Sequence, residues 1–180
     1  MTDADDQGVR QRATALRILT LALIVGVIMI AAVFIMVRYV VLEGKPLIEP
    51  GPVPVLSLIG IGVALVALAM GMFLPARARR AAAEQWAAGV PPAGRPGESS
   101  VSRLIGAYVG SHILGLALAE GPAILGVVFF LLDGHWLALL PLGLGILAMI
   151  WMFPSEAAMR DWLEERLAEA PDRPSKPAIP

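Results

Sequence analysis

The chain contains no cysteine. Disulfides, thiolate metal sites and thiol nucleophiles are therefore excluded. Histidine is almost as scarce: His112 and His135 are isolated, with no clustered acids to complete a ligand set, so neither a metal nor a cofactor is expected. Ser57, Ser99, Ser100, Ser102, Ser111 and Ser155 have no evident base or orienting partner. A nucleophilic hydrolase is thus unsupported, and the chain is not read as an enzyme. Every glycine cluster falls in an apolar run or a linker, so no loop is available to cradle phosphate. A net charge of −1 lacks the basic footprint of a nucleic-acid binder.

Charge of either sign is sparse, at 16% of 180 residues, and it gathers at the ends and in one central block. Hydrophobic residues make up 57% of the chain, against about 45–50% in a soluble domain. Long charge-free runs between charge clusters mark a membrane protein.

Residues 1–17 form a polar tail, acidic at Asp3, Asp5 and Asp6 and expected to be disordered, then basic at Arg10, Arg12 and Arg17. Residues 18–37 carry no charge. Some 20 residues at 1.5 Å each cover a hydrocarbon core of about 30 Å, and lipid forces them to be helical because a strand would leave its backbone unsatisfied. The run is too long for a signal-peptide core and reads as a retained span. Arg38, Tyr39 and Glu43 mark its far interface, where Arg38 can snorkel. Pro46, Pro50, Pro52 and Pro54 hold the next stretch in a loop. A second span, 55–74, completes the first hairpin (18–74), with Gly60, Ala64, Ala67 and Gly71 at spacings of three or four. Such small residues let helix backbones approach closely in lipid.

Residues 75–103 hold a cytoplasmic helix over 75–88, stopped by Gly89, and a flexible linker rich in proline and glycine. The second hairpin, 104–153, begins with the small-residue pairs Gly106/Gly110, Gly115/Ala119 and Ala117/Gly121. Its spans are 109–132 and 136–153, joined by a short Asp133-Gly134-His135 turn. Trp136 and Trp151 bracket the last span as interfacial anchors, and Pro141 is expected to kink it. In 154–180, Ser155 caps a helix whose Met159, Trp162, Leu163 and Leu167 form one apolar face. That helix either lies on the membrane or docks on the 75–88 extension. A proline-rich tail, expected to be disordered, follows from Pro171.

The expected fold is therefore an all-α membrane protein: four transmembrane helices as two helical hairpins, with cytoplasmic helical extensions. Of 14 Lys and Arg residues, only Arg38 and Lys45 fall on the side of the tight loops. The positive-inside rule then places both termini in the cytoplasm of a bacterial inner (plasma) membrane. The halves are weakly alike: Leu42-Glu-Gly-Lys45 matches Leu132-Asp-Gly-His135, which sets Ile30 opposite Glu120.

Glu120 is the only Asp, Glu, Lys or Arg inside any expected span. An ionisable group at that depth is a functional-site hypothesis by default. It is either a carrier for a proton or cation, or a hydrogen-bonding residue that fixes helix packing. Pro122 removes the bond to the Leu118 carbonyl and leaves an acceptor beside the carboxyl. His112 lies eight residues away, about 12 Å along a helix, too far for direct contact.

The run Ala117-Leu-Ala-Glu120-Gly-Pro-Ala-Ile-Leu-Gly126 resembles the carboxylate helix of the proteolipid (c) subunits of rotary ATPases. By that resemblance Glu120 would be the ion-binding residue. In that family the carboxylate sits on the second helix of its hairpin, whereas here it sits on the first. As a whole the chain looks like the small four-helix membrane proteins of bacteria. The expected role is packing or assembly in a membrane complex; the alternative is a proton- or cation-handling subunit. The expected partners are membrane lipid and either a second copy or another membrane protein.

Overall fold

A computed structural model describes residues 3–48, 53–90, 92–93 and 99–169. All regular structure among them is helical. The first helix, α1, spans Asp3–Met36 and passes into a π-helical turn over Val37–Val41. Then follow α2 (Val55–Ala87), α3 (Ser100–Asp133), a 3-10 turn (Trp136–Leu139), α4 (Leu140–Trp151) and α5 (Glu156–Ala168). The proline-rich tail, most of the central linker, and Pro50 and Pro52 lie outside the described residues.

Three helices are long and apolar enough to cross a membrane, and a fourth apolar segment, Trp136–Trp151, meets α5 at a bend of 59°. Large apolar side chains such as Leu21, Val25, Leu65 and Val66 lie exposed along the outer faces of α1 and α2. Helix boundaries follow local chemistry. Ser99 caps α3 by accepting the Ser102 N–H at 3.1 Å. Ser155 caps α5 as expected, accepting the Ala158 N–H at 3.4 Å. Gly89 (φ +75°) and Gly134 (φ +73°) end α2 and α3 in the left-handed region.

Two expectations change. The acidic stretch at the start of the chain is helical from Asp3. Acidic residues suit a helix N-terminus, and Asp6 faces Arg160 of α5 at 3.7 Å. Pro141 does not interrupt α4. It sits in the first turn of α4, where a missing N–H loses no helical bond.

α3 is the hub: α1, α2, α4 and α5 all pack on it, and the most extensive helix contacts among the described residues are those of α3 with α2, α4 and α1. α1 runs parallel to α3, since Arg12 meets Ser102 at one end and Arg38 meets Phe130 at the other. Residues 28–30 of α1 therefore lie level with Glu120. Two cores result. A middle one joins Val27, Leu116, Ala119, Ala123 and Met149. An inner one joins Val9, Leu16, Trp86, Leu104, Tyr108, Met159 and Leu163. α5 thus docks on the inner ends of the long helices, tied by the Trp86 Nε1–H donating to the Arg166 carbonyl at 3.0 Å and by the Arg17 Nε–H donating to the Pro154 carbonyl at 3.2 Å.

Candidate functional site

Glu120 is half-buried on α3 and has no hydrogen bond or ion pair among the described residues. It lies five helical turns beyond Ser102, hence on the same face, toward the seam with α1. The level stretch of α1 is Ile28-Met29-Ile30-Ala31, which offers no donor. Pro122 is buried one half-turn away inside an unbroken α3. His112 is nearer the inner end of α3, with its Nε2 buried and unpartnered among the described residues. The structure does not bring His112 and Glu120 together, as the rise along one continuous helix requires.

The small residues divide by face. Gly60 packs under the Phe129 ring, Gly71 meets Gly115 and Leu118, and Gly115 also touches Pro75 and Met152. Ala64 and Ala119 are buried. The Gly106/Gly110 pair and Gly121 are expected from their spacing to join helices. Gly106 touches only Arg12, however, and Gly110 and Gly121 have nothing within 4 Å of a Cβ position. Spacing establishes a shared face but not what the face meets. With Ala117 these three line an exposed strip along the inner two thirds of α3. Glu120 sits at its edge.

Sequence spacing did not single out two closer approaches. A Cβ at Gly145 would lie 2.5 Å from the Ala119 carbonyl oxygen, and one at Gly126 would lie 2.6 Å from that of Ala138. These glycines set the separation of α3 and α4.

At the outer end, Arg38 does not snorkel. It is buried, donating through Nη1 to the Phe130 carbonyl and through Nη2 to the Gly44 carbonyl, each at 3.0 Å, with its guanidinium over the Phe130 ring. Glycine is favoured at 134, where φ is +73° and a Cβ would require the Arg38 guanidinium to shift. Asp133 is buried beside it, accepting from Ser57 Oγ and from the His135 N–H, both at 2.9 Å. No residue pattern in the sequence marked this cluster, which depends on the π-helical turn that carries Arg38.

At the inner end, α2, α3 and α4 part to leave a cavity of about 300 Å³, whose polar lining includes Arg79, Tyr108, Ser111 and His112. The Arg79 guanidinium lies over the Tyr108 ring, 5.6 Å from its centre. An apolar cavity of about 220 Å³ adjoins it, sharing Gly71, Gly115 and Met152 as walls. No group of three or more His, Cys, Asp or Glu that could hold a metal ion occurs among the described residues. No protein family, curated protein or solved structure was found to match the chain.

Proposed function

We propose that this is an integral membrane protein of four spans, with both termini cytoplasmic, that serves as an assembly component. It packs against a second copy or another membrane protein through the inner two thirds of α3. The observation that carries this reading is Glu120, half-buried and without a partner among the described residues, at the edge of the exposed Gly106, Gly110, Ala117 and Gly121 strip. A carboxyl in hydrocarbon is costly unless something hydrogen-bonds to it, and glycines let another helix come close enough to do so. The distribution of Lys and Arg supports the orientation.

The natural absence of cysteine makes the test direct. Single cysteines replacing Gly110 or Ala117 should form disulfide-linked species on mild oxidation in native membranes, to a second copy or to a captured partner. Cysteines replacing Ile59 or Leu65 on α2, both exposed, should not. Glu120→Gln should retain assembly, while Glu120→Leu should weaken it about tenfold, or ~1.4 kcal/mol. Monomeric behaviour with no partner and no α3-specific cross-link would sink the reading. Assembly that survives Glu120→Gln while an ion-dependent activity disappears would shift the role of Glu120 to carrying charge.

A further inference from the structure

We infer that the inner crevice between α2, α3 and α4 is a binding site for one anionic phospholipid, with the phosphate at Arg79 and an acyl chain in the apolar cavity. The inference rests on the membrane reading but is independent of assembly through α3.

Three observations converge. First, the two adjoining cavities change character along the helices. The deeper one is lined by Leu68, Ala119, Ala148 and Met152, and the inner one by Arg79, Tyr108, Ser111 and His112. Second, Leu68 to Arg79 spans eleven residues of α2, about 16 Å of helix, close to one leaflet of a hydrocarbon core of about 30 Å. A lipid whose chain filled the deep part would carry its phosphate near Arg79. Third, the mouth carries unspent donor capacity. Arg79 makes no ion pair or hydrogen bond among the described residues; the Tyr108 ring faces it, and His112 lines the same cavity. His112 Nε2 is buried and unpartnered among them. Guanidinium forks match phosphate oxygens in two-point hydrogen bonds, and these strengthen away from bulk water. Gly71 and Gly115 line both cavities and pack α2 directly on α3, so the floor between the two cavities carries no side chain of its own at these positions.

The test is native mass spectrometry of the full chain in detergent, with dioleoyl phosphatidylglycerol and dioleoyl phosphatidylcholine added in parallel. One phosphatidylglycerol per chain should be retained, about tenfold in preference to phosphatidylcholine. Arg79→Ala should remove that preference. Arg77→Ala should keep it, because Arg77 is as charged but lines neither cavity. Ala148→Phe should reduce retention of both lipids by filling the deep part, with the melting temperature confirming a folded chain. Inorganic phosphate should neither bind measurably nor displace the lipid at equal concentration. Equal retention of the two lipids by the natural chain, an Arg77→Ala effect as large as that of Arg79→Ala, or lipid displacement by phosphate would each overturn the inference. If Ala148→Phe unfolds the chain, Met72→Trp at the crevice rim supplies the same test: unchanged retention in a folded Met72→Trp chain would overturn the inference. Failure of membrane insertion itself shows separately, as protein released by alkaline carbonate.

Discussion

Arg38 does more than its place in the sequence suggests. A lone arginine after an apolar run is expected to reach for the headgroups. The π-helical turn over Val37–Val41 inserts an extra residue in the turn, and the side chain swings inward to the end of α3. There it makes two charge-assisted bonds and one ring contact. Arg38→Ala should destabilise the protein by about 2–4 kcal/mol, read as a lower melting temperature in detergent. Arg38→Lys should recover less than half, since one ammonium cannot span both carbonyls as a planar fork does. None of this geometry was legible in the sequence, because burial of a span-end arginine depends on a local helix irregularity that no residue pattern announces. Glu120 was legible as a location, since a charge inside an apolar run is unmistakable. Its lack of a partner could be known only once α1 was seen to present Ile28-Met29-Ile30 beside it.

Among the elements, the glycines of α3 and α4 carry the sharpest test. At Gly145 a methyl group would sit 2.5 Å from the Ala119 carbonyl oxygen and 2.8 Å from the Ala123 Cβ. Gly145→Ala should force the helices apart at a cost of about 1–3 kcal/mol. Gly143, two residues away, has nothing within 4 Å. Gly143→Ala should therefore be neutral or stabilising by up to about 1 kcal/mol, because alanine is the better helix former. Melting curves of the two variants side by side check the sign of each effect. Helix positions were largely legible. Val55 begins α2 after Pro54, Gly89 follows its end, and Ser155 caps α5, each through a residue whose backbone chemistry admits little else. Faces were less so. In a chain with 18 glycines, small residues recur at helical spacing on every side, and periodicity alone cannot say which side meets a neighbour.

For the whole molecule, length decides the architecture. α1 and α3 have 34 residues each and α2 has 33, about 50 Å apiece, against a hydrocarbon core of about 30 Å. The surplus forms the inner core, which α5 closes with Met159 and Leu163 fully buried. Leu163→Ala should destabilise that core by about 2–5 kcal/mol. Hydrogen exchange should then rise in α5 and the inner ends of α1 to α3, while amides in the middle of the spans stay protected. Three of the four expected apolar spans, and the apolar face of α5, could be read from the sequence. The central position of α3 could not, because it depends on which long helix is flanked on several sides, a property of the assembled bundle.

That central position bears on how the protein is made. α1 and α2 leave the ribosome first, yet the most extensive packing of each among the described residues is against α3. Until Ser100 onward has been synthesised, each lacks the helix against which most of its native packing forms. Most of the tertiary packing of the first half therefore waits on the third helix and condenses around it. A chain interrupted before α3 lacks the surface on which its first two helices do most of their packing.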